Sequence, residues 1–179
     1  VNRLNKIITT MSEATRLEQS IAHSERQMFD LTKVINGCMQ GYQMTYPTER
    51  FELKLTPQPI MLSGVPEFIA QLLDKVINNA IEFATPQTPI VVELSHDDKN
   101  AKLTISNQGP ALPDKIGDHI FDSMVSVRSQ AMQKQPHLGL GLYVARLIAE
   151  FHHGRINACN LLDQQGVCIT LTLPIVSNR

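Results

Sequence analysis

The sequence predicts an α/β fold, and three observations predict it. Long stretches carry apolar residues at helical spacing, and shorter ones alternate apolar with polar residues. Near the C-terminus, Gly139-Leu140-Gly141 opens an apolar helix in which Leu140, Val144, Leu147, Ile148 and Phe151 share a face. Glycine there lets backbone N–H groups approach a ligand, and a helix start suits a phosphate. Such a turn serves tight packing equally well. It is neither a dinucleotide fingerprint, since Val144 stands where the third Gly belongs, nor a P-loop, since the Lys-Ser/Thr is missing.

Composition narrows the class. The chain has 179 residues, enough for one domain and an appendage, and is 42% hydrophobic. Without Trp, and with 5% aromatics, the core must be aliphatic. A formal net charge of -1 offers no basic surface for nucleic acid. Cys38, Cys159 and Cys168 lack metal-ligand spacing and are expected as reduced core thiols of a cytosolic compartment. No run is long enough for a membrane span, no signal peptide is visible, and a start at Val1 reads as a fragment.

The elements follow in order. Leu4, Ile7, Ile8, Met11, Ala14, Leu17 and Ile21 form a near-heptad stripe over residues 3–21. Such a helix cannot bury its stripe alone and is expected to need a partner helix or a second copy. Residues 29–42 read as a second amphipathic helix. Phe51, Leu53 and Leu55 alternate as a strand, and Ile60-Met61-Leu62 as a short one. Ser63-Gly64-Val65-Pro66 starts a helix to Phe83, with Pro66 in its first turn. Asn78 and Asn79 interrupt that helix. Asn is a poor helix former, so the pair reads either as exposed or as an oxygen ligand for a hard cation. Residues 90–94 and 103–106 form a hairpin around Asp97–Asn100, running into the rigid loop Asn107-Gln108-Gly109-Pro110. Polar residues 128–135 suit a loop that closes over a ligand. Gly154 ends the last helix, where His152-His153 complements the dipole, and residues 155–158 and 167–174 make a final hairpin.

Four stretches then stand in order: residues 72–80 around Asn78-Asn79-Ala80, Asn107-Gln108-Gly109-Pro110, Ile120-Phe121-Asp122, and Gly139-Leu140-Gly141-Leu142. From about Phe29 to Val176 they resemble the ATP-binding domain of a bacterial sensor histidine kinase, in the superfamily shared with gyrase, MutL and a heat-shock chaperone. Residues 3–21 resemble the second helix of that family's dimerisation and phosphoacceptor hairpin. Residues 121–128 are similar to kinases of the proteobacterial dedicated sortase systems.

The resemblance implies a two-layer sandwich: a mixed sheet with helices on one face, the Bergerat-type ATP-binding fold, preceded by a long dimerisation-type helix. It divides the chain into residues 1–27, hairpin helix and linker, and 28–179, catalytic domain. Asn79 matches the residue that holds Mg²⁺ against the ATP phosphates. Asn107 stands where the family has the Asp that accepts from the adenine amino group, and Gly109 matches the glycine that lets adenine approach. Phe121 matches the aromatic beside the ATP lid, residues 122–137. Leu138, Gly139, Leu140, Gly141 and Leu142 match the nucleotide-contacting stretch, with His137 where a further Gly is common.

Two positions depart from the pattern. Lys75 replaces an Asn four residues before Asn79, and Glu82 replaces a cation three residues after it. Either Mg²⁺ binding differs, or Lys75 supplies the missing charge as a catalytic residue beside Asn79, or ATP affinity falls. Water-activating members carry Glu where Lys75 stands, and a protonated lysine cannot act as that base. A gyrase-like ATPase is therefore disfavoured.

The resemblance implies a protein histidine kinase that uses Mg²⁺ and ATP and passes the γ-phosphate to a histidine. That histidine is expected upstream of Val1, because none here has the family's His-Glu/Asp context: His23 is followed by Ser24-Glu25. Implied partners are a second copy, through the hairpin, and a response regulator. The implied location is the cytoplasmic domain of an inner-membrane protein whose spans lie outside this sequence. Two other classes compete: a nucleotide-binding scaffold without transfer activity, and a serine kinase acting on an anti-anti-sigma partner. Phosphohistidine formation separates them.

Overall fold

A computed structural model describes residues 2–113, 117–122, 140–162 and 165–176. Helix α1 spans Asn2–His23, β1 Gln27–Asp30, α2 Leu31–Thr45, β2 Phe51–Leu55, β3 Met61–Gly64 and α3 Pro66–Phe83. Then come β4 Ile90–His96, β5 Asn100–Gln108, a 3₁₀ turn at Gly117–Phe121, α4 Leu140–Phe151, β6 Arg155–Asn160 and β7 Gly166–Pro174.

Five strands form one sheet in the order β2-β4-β5-β7-β6. Only β2 and β4 run parallel, so the sheet is mixed as expected. Alternation splits the sheet into two faces. Ile90, Val92 and Leu94, Leu103 and Ile105, and Ile169, Leu171 and Leu173 are buried beneath the helices. Their alternates are polar or partly exposed: Glu93, Lys102, Thr104, Thr170 and Thr172. This is the two-layer arrangement with helices on one face. Helix α3 supplies Ile69, Leu72, Leu73, Val76, Ile77 and Ala80, and α4 supplies Val144, Ala145, Ile148 and Ala149. Burying a side chain of this size contributes roughly 1.5–3 kcal/mol relative to exposure, so these stripes hold the layers together.

Several expectations are corrected. Residues 27–30 are a strand, so Phe29 and Asp30 fall outside the second helix, and β1 pairs antiparallel with β3 as a separate two-stranded sheet. The helix waits until Leu31 because the Asp30 carboxylate accepts from Thr32 N–H at 3.0 Å, an N-cap that holds Asp30 extended. The α1 stripe does not depend wholly on a second helix. Ala14 and Leu17 are buried, and α1 packs on α4 of the same chain. None of the three cysteines is in the core: Cys159 is exposed, and Cys38 and Cys168 are half-buried.

The expectation for His152 also fails. Only 2% of His152 is exposed, its Nδ1 meets Ile148 O at 2.8 Å, and Val65 N–H donates to its Nε2 at 3.1 Å. A ring that donates through one nitrogen and accepts at the other is neutral. Burial holds its pKa below the ordinary value, so it cannot answer the helix dipole with charge. His153 instead takes a left-handed φ of 57° where the helix ends. Among the described residues, no helix is long and apolar enough to cross a membrane.

Candidate functional site

Helix α3 carries two polar faces, set by which residues fall one turn apart. Asn78 lies one turn after Asp74, towards α2. Its Nδ2 donates to Asp74 Oδ1 at 2.9 Å, and Tyr46 O–H donates to its Oδ1 at 2.9 Å. Burial and then the Asp74 carboxylate push the Cys38 thiol and the Tyr42 phenol up, which places this cluster against α2. Asn78 is thereby fully engaged. This network was not legible in the sequence, because Tyr46 is remote in the chain.

The other face carries Lys75, Asn79 and Glu82, at helical i, i+4 and i+7. Asn79 is half-buried, and among the described residues no hydrogen bond takes up its amide. Lys75 reaches across to α4: its Cδ lies 3.8 Å from where a Cβ on Gly141 would stand, and beyond the adjoining residues and backbone of α4 itself no other described atom comes within 4 Å of that point. Glu82 is exposed and, like Lys75, has an interaction partner. The structure thus brings Lys75 to the start of α4, where Leu140, Gly141 and Leu142 open the helix, with Asn79 one turn further along the same face of α3. Unpaired N–H groups and the helix dipole there favour an anion.

Asn107 ends β5 on the helix-facing side and is 7% exposed. Its Nδ2 donates to Gln108 O at 3.1 Å, which fixes the amide with Oδ1 as the remaining acceptor. No buried side-chain polar atom of the described residues lacks a partner, so an Oδ1 without one is not sealed from solvent. Gly109 is in the left-handed range, with φ 156°, and a Cβ on it would stand 2.0 Å from Phe83 O. Its side chain is therefore forbidden by the end of α3, whatever binds nearby.

The loop after Asn107 is held from β6 and β7. Gly109 N–H donates to Gln165 O at 3.1 Å. Asn160 brackets Leu112, accepting from its N–H at 2.7 Å and donating to its carbonyl at 2.9 Å. A Cβ on Gly166 would lie 2.2 Å from Asn107 O. Sequence reasoning missed Asn160 and Gly166; only the turn before Gly166 marked the region.

Phe121 is 1% exposed, so its ring anchors the 3₁₀ turn in the core. Beside it Asp122 receives Arg146 Nη1 at 2.6 Å and pairs with His119 at 2.8 Å, while Arg146 Nε donates to Glu150 at 2.9 Å. The hydrogen bond with His119, and then that with Arg146, holds the Asp122 carboxyl below the usual range. Of the implied lid only Asp122 is described. Residues 123–139, with His137, Leu138, Gly139 and most of the stretch likened to the sortase-system kinases, lie outside the described residues.

A family described as histidine kinase-, DNA gyrase B-, and HSP90-like ATPase matches residues 64–177. The chain is 25% identical over 174 residues to the sensor protein kinase WalK of Staphylococcus epidermidis, covering 96% of this chain and 28% of that protein. It is 27% identical over 189 residues to the sensor protein ChvG of Agrobacterium fabrum, covering 97% of this chain and 31% of that one. The chain thus spans less than a third of the length of these relatives. A solved structure of a mycobacterial sensor histidine kinase, MprB, superposes with a TM-score of 0.73 at 22% identity, over 86% of this chain and 99% of that one.

Proposed function

Since the chain belongs to the histidine kinase-, DNA gyrase B-, and HSP90-like ATPase family, an ATP-binding family, we propose that it is the catalytic part of a sensor histidine kinase. It binds ATP with Mg²⁺ and presents the γ-phosphate to a histidine on a helix outside this chain. The phosphate then passes to a response regulator in two-component signalling. The full protein is a homodimer through a helical hairpin that includes α1, with this part on the cytoplasmic side of the inner membrane.

One observation carries the reading: the face of α3 with Lys75 and Asn79 meets the open first turn of α4 at Gly141. An uncommitted amide oxygen suits a hard cation, and a lysine beside a helix start suits a polyphosphate. The metal, when bound, would neutralise phosphate charge. Asn79 would hold it through its amide oxygen. Lys75 provides a positive charge that offsets Glu82, and the N–H groups of residues 140–142 donate to the phosphate oxygens. Asn107 Oδ1 accepts from the adenine amino group. Phosphoryl transfer asks mainly for positioning and charge neutralisation, which this set supplies. Lys75 also leaves no base at the position from which water would be activated, so transfer rather than hydrolysis is the expected outcome.

Calorimetric titration with a non-hydrolysable ATP analogue, with and without Mg²⁺, tests this. Saturable binding is expected to weaken without Mg²⁺ and in Asn79→Ala. No binding at millimolar analogue overturns the reading. A longer chain that includes the upstream helix should then form phosphohistidine.

A further inference from the structure

Cys159 on β6 and Cys168 on β7 are register partners, directly opposite each other across the antiparallel ladder. Both point to the outer face of the sheet, away from the helices, since their neighbours Ala158 and Ile169 face inwards. Cys159 is exposed and Cys168 half-buried, and both are free thiols. Burial raises the Cys168 thiol, whose Sγ lies 3.9 Å from Thr170 Oγ1 on the same outer face. Neither residue has a part in the nucleotide site described above.

The ladder also fixes what kind of rung this is. Leu161 N–H donates to Gly166 O at 2.9 Å, so that rung is hydrogen-bonded, and two rungs on Cys159–Cys168 is too. Gly109 N–H donates to Gln165 O on the other side of β7, the alternation a central strand requires. On such a rung the Cα atoms are about 5.5 Å apart, within the span of a disulfide. The Cβ atoms, about 4.5–5.5 Å apart, must close to about 3.5–4.5 Å. A bond there pinches β6 onto β7 and is strained, hence readily reduced.

The same hairpin holds the loop after β5. Asn160, next to Cys159, brackets Leu112 through both of its amide atoms. Val167, next to Cys168, is the register partner of Asn107. A pinch at the cysteines therefore displaces both supports of the segment from Asn107 to Pro113.

We propose that Cys159 and Cys168 are a redox-sensitive pair, whose oxidation to a cross-strand disulfide weakens nucleotide binding by the Asn107–Pro113 segment. The second half rests on the nucleotide-site reading. With hydrogen peroxide as oxidant, the exposed Cys159 thiolate attacks one peroxide oxygen. The O–O bond breaks, the sulfur becomes a sulfenic acid, and the other oxygen leaves and is protonated to water. The Cys168 thiolate then attacks that sulfur, the S–O bond breaks, and a second water leaves. Two thiols lose two electrons, one peroxide gains them, and exchange with an external dithiol restores the pair.

The test oxidises the purified chain with hydrogen peroxide, alkylates the remaining thiols and maps peptides by mass. Of three cysteines, only Cys38 should stay free, with Cys159 linked to Cys168 within one chain. Amide hydrogen exchange over residues 107–113 should change, and ATP-analogue affinity should fall by roughly fivefold, the low end of coupling between sites. Dithiothreitol should restore both. Cys38→Ser should respond as the wild type does, and Cys159→Ser should not. Three free thiols after oxidation, a link between two chains, or an equal response from Cys159→Ser overturns the proposal. A disulfide that leaves exchange over 107–113 unchanged overturns the coupling. If the reduced chain binds no analogue, the nucleotide reading falls, while the mapping and exchange still decide the disulfide.

Discussion

Helices α3 and α4 meet at two ends, and the two ends use glycine for opposite reasons. Where α4 finishes beside the start of α3, a Cβ on Gly64 would stand 2.2 Å from the His152 ring, and one on Gly154 would stand 2.3 Å from Thr172 O. Those glycines are there because atoms fill the space. Where α4 begins beside the middle of α3, a Cβ on Gly141 would meet only Lys75 Cδ, at 3.8 Å, among the described atoms. A glycine within a helix costs about 0.5–1 kcal/mol relative to alanine, so an uncrowded one needs another reason. Access of a ligand to the backbone supplies it. One end is built for stability and the other for binding.

His152→Ala tests the closed end and should have the largest effect. It removes a buried ring, leaves a cavity and strips Val65 N–H of its acceptor. The expected loss is about 3 kcal/mol in urea unfolding. Nucleotide affinity under folding conditions should stay near that of the wild type. An equal loss of affinity would mean that the two ends are not separate.

The same residue gives a pH signature. Burial lowers the folded-state pKa of His152, so between that value and about 6.5 the unfolded chain binds the proton and the folded chain does not. Stability is therefore fully present above about pH 6.5 and falls as pH drops below it, by up to about 1.4 kcal/mol per pH unit. Asp122, also lowered, contributes only further down, in the carboxylate range. Urea midpoints measured between pH 7.5 and 5 should show this slope, and His152→Gln should flatten it. A flat wild-type profile would contradict a neutral buried ring.

The contrast between the two ends was only partly legible in the sequence. Periodicity sufficed for α3, whose six buried residues recur every three or four positions, and for the alternating β7. The strand at residues 27–30 was not legible, because four residues beside a helix carry too short a period and only the Asp30 cap separates the two. The order of four motifs marked Asn79, Asn107 and Gly141. It could not show what engages Asn78, since that depends on Tyr46 crossing from α2. Nor could it show that Gly109 answers to Phe83 O, or that Cys159 faces Cys168, because register is a property of paired strands.

Gly141→Ala sharpens the comparison at the open end. With no described atom to strike, the added methyl should leave stability unchanged or raise it by about 0.5–1 kcal/mol. ATP-analogue binding should nonetheless weaken, by roughly tenfold if about 1.4 kcal/mol of phosphate contact is lost. Lower stability would place unseen packing at this end, and unchanged affinity would remove the ligand as the reason for the glycine.

Arg146→Ala should give the smallest change, and it asks whether the open end draws its stability from charge. Arg146 ties Asp122, just before residues 123–139, to α4, just after them. Both partners are 41% exposed, so solvent screens the pair and its loss should cost less than about 1 kcal/mol. Added salt should shrink even that difference, as for any exposed ion pair. The geometric effect can exceed the energetic one, because the pair fixes the distance between the 3₁₀ turn and the first turns of α4. Urea unfolding with calorimetric titration separates the two. A small stability change with weaker nucleotide binding is the expected pattern. A loss comparable to that of His152→Ala would show that Arg146 is a buried structural tie, and the open end would then be as closed as the other.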